Sequence, residues 1–388
     1  MEYVKLEEIC TIVSGGTPSR SKSDYWNNGN IPWIKIKDMK SKYIDSAEEF
    51  ITEEGLNNSS TKMLKRGTIL YSIFATLGEV GILKIDACTN QAIAGLSLKE
   101  DSNILKEYLY YYLKSKKKDV NNLGRGVAQN NINLSLLRKF KIPVIPLCQQ
   151  KKIIEVLDNV SSTINNYDRE LALLDELVKA RFVEMFGDPV TNDMLWNTDV
   201  LKDICTKIGS GSTPRGGKES YIDEGISLIR SMNVHNAYFE YKDLAHITLD
   251  QAEKLNNVVV EHDDLLFNIT GASVARCCVV PSDVLPARVN QHVCILRCRE
   301  KINPIFLQGL LVNENYQGKL LQIAKSGATR EAINKQQLES LEIMIPPLEL
   351  QNQFASFVQE IDKSRSRIQK SLEASQELFD SLMQEYFG

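Results

Sequence analysis

The chain says almost everything twice, and that repeat limits the folds open to it more than any other feature. "LEEICTIVSGGTP", beginning at Leu6, returns as "LKDICTKIGSGSTP", beginning at Leu201. The offset is 195 residues there, 196 between Pro18 and Pro214, and 201 where "GVAQNNINLSLLRKFKI" from Gly126 returns as "GATREAINKQQLESLEI" from Gly327. Between these, "IPWIKIKDM" answers "ISLIRSMNV", "GTILYSI" answers "DDLLFNI", and "NQA" at Asn90 answers "NQH" at Asn290. "PLCQQ" and "PLELQ" follow, and the copies close on "MFG" and "YFG". Small loop insertions account for the drift. Two copies of roughly 190 residues, each large enough to fold alone, make a tandem duplication and not a solenoid of many short repeats.

Each copy has two parts. The first reads as mixed α+β: "NIPWIKI", "GTILYSIFA", "GEVGILKI" and "AIAGLSLK" are short β-rich runs, matched later by "GISLIRS", "DDLLFNI", "CCVVP" and "HVCILRC". A helix is expected over "NILKEYLYYYLKSKKKD" and over "NPIFLQGLLVNENYQGKLL". The second part is a helix of about 35 residues, roughly 50 Å long. Its apolar residues alternate spacings of four and three: Ile153, Leu157, Val160, Ile164, Tyr167, Leu171, Leu174, Val178, Phe182 and Met185. That is a heptad seam. The second copy carries Phe354, Val358, Ile361, Ile368, Leu372, Phe379, Leu382 and Tyr386, with Arg365 and Ser375 weakening the seam. A helix packed on its own domain explains one stripe, but not two matched stripes. The expected architecture is therefore a tandem duplication of a sheet-containing domain plus a long helix, the two helices pairing as an antiparallel coiled coil between two similar heads. The boundaries are 1–145 and 188–346 for the heads, and 146–187 and 347–388 for the helices.

Several functional classes lack their residues. No apolar run reaches the ~18–20 residues of a membrane helix, and "MEYVKLEEIC" has no apolar signal core. The cytoplasm is the expected compartment. The only Pro-Pro, in "MIPPLE", lacks the Asn/Asp before and the aromatic after that an adenine methyltransferase uses to hold a flipped base. There is no phosphate-binding glycine loop of the Walker type. His235, His246, His262 and His292 all lie in the second copy, which excludes a duplicated catalytic histidine. Cys277, Cys278, Cys294 and Cys298 raise the question of zinc. Yet residues four apart on a strand are about 13 Å apart, and the first copy has no cysteines at the matching positions, so core cysteines are the expectation.

The duplicated loops carry short donors, acceptors and cations, the groups that reach phosphates and base edges. The first copy offers Thr17, Ser19, Arg20 and Lys22, then Lys35 and Lys37 expected on one strand face, then Ser72, Thr76, Asn90, Gln91, Arg125 and Gln129. The second offers Thr213, Arg215, Lys218, Arg230 and Asn233, then Asn268 and Thr270 as counterparts of Ser72 and Thr76, then Asn290, Gln291 and Arg330. The glycines would let the backbone approach a ligand closely. Turn chemistry explains any one of these residues. Their recurrence at matching loops, on a shared framework but with different polar tips, points to two heads that read two different short DNA sequences. The net charge of −4 argues against a free-standing nucleic-acid binder, although local patches can bind phosphate and a partner subunit can supply more positive field.

"IVSGGTPSRSKSDYWNNGNIPWIKIKDM", "TNQAIAGLSL", "GVAQNNINLSLLRKFKIPVIPLCQQKKIIEVLD" and their second-copy versions together resemble the specificity subunit of a type I restriction–modification enzyme, over essentially the whole chain. The resemblance implies two target-recognition domains, each reading half of a split double-stranded DNA target, and two helices acting as a ruler between them. It implies a non-catalytic chain that binds no cofactor itself. Two modification subunits would use S-adenosylmethionine to methylate adenine N6, and two restriction subunits, where present, would use ATP and Mg. One departure stands out: the family's acidic residue before glutamine is Gln149 or Leu350 here, while Gln150 and Gln351 remain. The other readings are a two-headed protein-binding scaffold and a self-contained DNA-modifying enzyme.

Overall fold

The computed structural model describes residues 2–124, 132–214, 216–325 and 331–388, with only the backbone described for Asn122, Leu123, Gly124 and Lys218. Two compact units divide it. One is Met1–Tyr167 with Ser371–Gly388, the other Asp168–Lys370. Each thus takes one sheet domain together with a stretch of both long helices.

In the first unit a five-stranded sheet runs in the order Cys10–Ser14, Ile93–Leu98, Ile69–Ser72, Val80–Leu83 and Tyr43–Ile44. A smaller sheet orders Glu49–Ile51, Ile31–Ile34 and Cys88–Thr89, with the last two parallel. The second unit repeats both. Cys205–Ser210, Val293–Cys298, Leu265–Asn268 and Cys277–Val279 form one sheet; Ala245–Ile247, Ile226–Ile229, Ala287–Val289 and Val259–Val260 form the other. The period-two alternation of strands explains the layering. Ile69 and Tyr71 face a core shared with helices, while Leu70 between them faces the smaller sheet. Leu265 and Phe267 divide from Leu266 in the same way. These central strands are apolar on both faces because both faces are covered.

Each sheet domain is closed by a pairing of its first strand with its last. Glu2–Lys5 lies antiparallel to Lys141–Val144, and Thr198–Val200 to Glu342–Met344. The helix expected over "NILKEYLYYYLKSKKKD" is two helices, Lys106–Ser115 and Lys117–Gly124, and its partner is Pro304–Val312 and Glu314–Lys325. Asn313 makes the second break, since its side chain accepts from Asn315 N at 3.0 Å and so starts a new helix.

The long helices are Leu147–Phe186 and Leu348–Phe387, 40 residues each against the 35 expected. They begin one residue after Pro146 and Pro347, whose carbonyls accept from Gln150 N at 3.1 Å and Gln351 N at 3.2 Å. Gly187 ends the first at φ +75°, its N–H bonded to Val183 O at 2.8 Å. Every seam residue from Ile153 to Met185 and from Phe354 to Tyr386 is buried or half-buried. In the first unit Leu157, Ile153, Val160 and Ile164 share a core with Phe379, Leu382, Met383 and Phe387. In the second, Phe182 and Phe186 pack edge-on against Phe354 at ring separations of 5.5 and 5.6 Å. The start of each helix meets the end of the other in both units, so the pairing is antiparallel. Arg365, a weak point of the seam by composition, bonds Asp175 across the pair at 2.6 Å.

All eight cysteines are free, and only Cys148 is exposed. Burial pushes the thiols of Cys10, Cys278 and Cys294 up to about 12, with Cys277 raised by the same cause. Among the described residues no group of three or more His, Cys, Asp or Glu side chains is placed to hold a metal ion. No helix among them is long and apolar enough to cross a membrane.

Candidate nucleic-acid interface

The duplicated loop is shaped by its neighbours in the fold. Gly15 N donates to Ile93 O at 3.0 Å and Gly16 N to Thr89 O at 2.9 Å. A Cβ on Gly15 would stand 2.2 Å from Asn90 O, and one on Gly16 2.2 Å from Ser60 Oγ. In the second unit a Cβ on Gly211 would stand 1.8 Å from Val289 O. These glycines permit a close backbone approach to the protein's own strands and turns. Thr17 donates to Gln91 Oε1, and Thr213 to Gln291 Oε1, the same bond in both units. Asn90 Oδ1 accepts from Ala92 N at 3.1 Å, and Asn290 Oδ1 from His292 N at 3.0 Å. The paired "TP" and "NQ" motifs are thus a latch that fixes the loop against a turn.

In the first unit two indoles staple the loop. Trp26 Nε1 donates to Ser19 O at 3.1 Å and Trp33 Nε1 to Gly16 O at 3.0 Å. The loop projects Arg20, whose guanidinium carbon lies 3.6 Å from the Trp26 ring centre, with Nη2 2.5 Å from Glu49 Oε2. Glu49 also holds Lys35, and Glu48 holds Lys37. Burial alone would raise the Glu49 carboxyl, but Lys35 and Arg20 together bring it below the usual carboxylate range. The hydrogen bond from Lys37 lowers the Glu48 carboxyl and raises the Lys37 amine in return. Lys22 bonds Tyr25 Oη at 2.9 Å, which raises its amine. Ser19 is exposed, its hydroxyl 2.8 Å from that of Ser21.

Lys35 and Lys37 do not share a strand face. The strand ends at Ile34, because Asp38 accepts from Lys35 N at 2.7 Å and caps a short 3-10 turn, Ile36–Asp38. Asn233 does the same for Arg230 N at 3.1 Å. Asn233 is fully buried and spends its amide on Glu240 O and Lys242 O, so it sets the turn and presents nothing outward. Ser72 and Asn268 are also fully buried. Ser72 bonds Thr76 O and Glu79 N, and Asn268 bonds Ser231 O at 2.9 Å. Thr76 is exposed. Strand register pairs Ser72 with Ile93 and Asn268 with Val293, which aligns Thr270 with Phe74 and not with Thr76. Phe74 is exposed, an aromatic ring at this edge that a search for polar residues passed over.

The second unit projects a different set. Arg230 donates to Asp243 O, its guanidinium 5.5 Å from the Tyr221 ring centre. His292 Nδ1 is 2.6 Å from Thr270 Oγ1, and its Nε2 is 3.2 Å from Gln291 Nε2, which joins Thr213, Gln291, His292 and Thr270 into one chain of polar contacts. The backbone of Lys218 lies in the 3-10 turn Gly217–Ser220. Arg125, Gln129, Arg215 and Arg330 lie outside the described residues. What the sequence reading missed is Glu48, Glu49, Phe74 and His292. The carboxylates went unnoticed because the loops were read for cations and for neutral donors and acceptors, and not for acidic partners that hold the cations.

The model of the type I restriction modification DNA specificity domain matches residues 1–174 and 194–376. The Type I restriction enzyme MjaIX specificity subunit of Methanocaldococcus jannaschii is 26% identical over 98% of this chain and 90% of its own length. A type I restriction enzyme specificity subunit of Escherichia coli is 34% identical over 47% of this chain, and that match spans 46% of the relative's length. Among solved structures, the type I restriction–modification S subunit from M. genitalium superposes with a TM-score of 0.58 at 15% identity, over all of this chain and 96% of that one. With two matched segments that take in both sheet domains and most of both long helices, the chain belongs to the type I restriction modification DNA specificity family.

Proposed function

We propose that this chain is the DNA-reading subunit of a type I restriction–modification complex, each sheet domain addressing one half of a split double-stranded target. One observation carries the reading. The two units share the bonds that shape the loop, Thr17–Gln91 and Thr213–Gln291, and differ in what the loop and its neighbours project. A shared scaffold with different exposed donors suits two reading heads with two sequences, since base edges are distinguished by donor and acceptor pattern.

On this reading the chain is not itself catalytic and binds no cofactor. Partner modification subunits use S-adenosylmethionine to methylate adenine N6, and restriction subunits, where present, use ATP and Mg. The antiparallel helix pair serves as the ruler that sets the gap between half-sites, and the complex works in the cytoplasm. Internal pairing of Arg20, Lys35 and Lys37 with Glu48 and Glu49 supports a division of labour in which partners supply much of the phosphate attraction. The test is an adenine-methylation map of the host genome with and without the gene. Loss of one split motif on deletion supports the proposal. An unchanged set of methylated motifs, with the methylase partner expressed, overturns it.

A further inference from the structure

We infer that Arg20 reads a guanine in the half-site addressed by the first unit, with Trp26 and Glu49 as positioning residues that hold its guanidinium for that contact. The inference rests on the proposed DNA-reading function and adds a residue and a base to it. Three chain segments converge on this side chain. The loop carries Arg20 itself. Trp26 lies under the guanidinium at 3.6 Å, and Trp33 stands at 5.0 Å, its ring perpendicular to that of Trp26 at 86°. Glu49 sits opposite Trp33 across the strand pair and accepts from Nη2 at 2.5 Å.

Both indoles are themselves tied to the loop by Ser19 O and Gly16 O. The result is a guanidinium fixed in plane and in rotation, with its side chain still 53% exposed. One N–H is spent on Glu49, and an arginine carries five. The free donors form the planar fork that matches O6 and N7 of guanine, the most frequent specific contact in the major groove. A phosphate anchor needs no such setting. Lys40 has its side chain 78% exposed and reaches Glu48 only at 4.0 Å, as a simple charge does.

The second unit confirms that the arrangement is not part of the scaffold. Leu228 and Ala245 face each other where Trp33 and Glu49 do in the first. The box around Arg20 is therefore an addition to one head, as a specificity device would be. Lysine cannot replace it, because an ammonium neither stacks nor forks.

The experiment maps adenine methylation in the host carrying Arg20→Lys, Glu49→Gln, the wild-type chain or a deletion of the gene. Arg20→Lys is expected to make one G·C position of one half-site degenerate, with wrong-base discrimination there falling roughly 5- to 150-fold. The other half-site keeps its sequence. Glu49→Gln, which preserves shape but releases the fork, loosens the same position. Duplex competition with the purified chain in complex with its methyltransferase gives the same ratio where methylation falls below detection. A uniform loss across all cognate sites, with the motif unchanged, makes Arg20 a phosphate contact and overturns the inference, as does a motif that survives both variants intact. Deletion without change in any motif overturns the DNA-reading proposal and this inference with it.

Discussion

Gln150 and Gln351 are each fully buried and bonded in the same way, and their removal is expected to unfasten the helix starts. Gln150 Oε1 accepts from Leu105 N at 2.8 Å, while its Nε2 donates to Asn103 O at 2.8 Å and Ile145 O at 2.9 Å. Gln351 accepts from Asn303 N at 2.9 Å and donates to Lys301 O and Pro346 O at 3.3 and 2.8 Å. Each side chain thus ties the entry of a long helix to the loop before Lys106–Ser115 or Pro304–Val312. Truncation to alanine leaves one N–H and two carbonyls without partners, at about 1–3 kcal/mol per buried group. Even the low end comes to about 3 kcal/mol. For a unit of this size that lowers the unfolding midpoint by roughly 6–12 °C.

The tryptophans allow each unit to be watched separately, since Trp26 and Trp33 lie in one and Trp196 in the other. Thermal unfolding is followed by fluorescence, Gln150→Ala in a Trp196→Phe background and Gln351→Ala in a Trp26→Phe, Trp33→Phe background. Gln150→Glu separates hydrogen bonding from packing. It keeps the volume and the acceptor but aims a carboxylate at two carbonyls. Its folded pKa then lies above the unfolded value, so the variant is closest to wild type below the ordinary carboxylate range and loses stability as pH rises through the raised value. An alanine variant within 1 °C of its parent, by this ~3 kcal/mol reckoning, refutes the reasoning.

The remaining predictions concern the thiols and the loop glycines. Alkylation at mildly alkaline pH, followed by mass spectrometry, is expected to label exposed Cys148 first and to reach Cys10, Cys278 and Cys294 only on unfolding. Because burial raises those three thiols to about 12, their contribution to stability is intact below the unfolded thiol value and is lost as pH climbs from about 9 towards 12. Early labelling of the buried thiols would contradict the packing. Gly15→Ala is expected to cost about 1–3 kcal/mol or more in a urea melt, since its Cβ collides with backbone, whereas Gly209→Ala, with nothing within 4 Å, is expected to be tolerated. Equal effects at both positions would contradict the close approach of Gly15 to the turn at Asn90.

The duplication and the helix seam were legible because both are one-dimensional patterns. Offsets near 195–201 and spacings of four and three survive without knowledge of contacts. The layering of the central strands was not read from the sequence, because runs apolar on both faces carry no alternation to show which face meets the helices and which the smaller sheet. The site was harder to read for a physical reason. Asn, Gln, Ser and Thr read bases by the same donors and acceptors with which they cap turns, so Asn233, Asn268 and Ser72 looked identical in sequence to residues that face outward. Their burial is set by neighbours far along the chain. Lys35 and Lys37 were assigned to one strand because the cap from Asp38, which stops that strand, is a local bond that alternating hydrophobicity does not report. Glu49 escaped notice because its meaning comes from lying opposite Trp33 across a strand pair.

The most direct test of two independent heads on one scaffold is an exchange. The strand pairs that close each sheet domain, Glu2–Lys5 with Lys141–Val144 and Thr198–Val200 with Glu342–Met344, supply matched joints. A chain in which residues 201–341 are replaced by residues 6–140 carries the first head twice and keeps both long helices. Its adenine-methylation map in the host is expected to show a palindromic motif, the first half-site at both ends with the gap of the original. A motif that retains the original second half-site would contradict the account, because sequence would then be read elsewhere than in the heads.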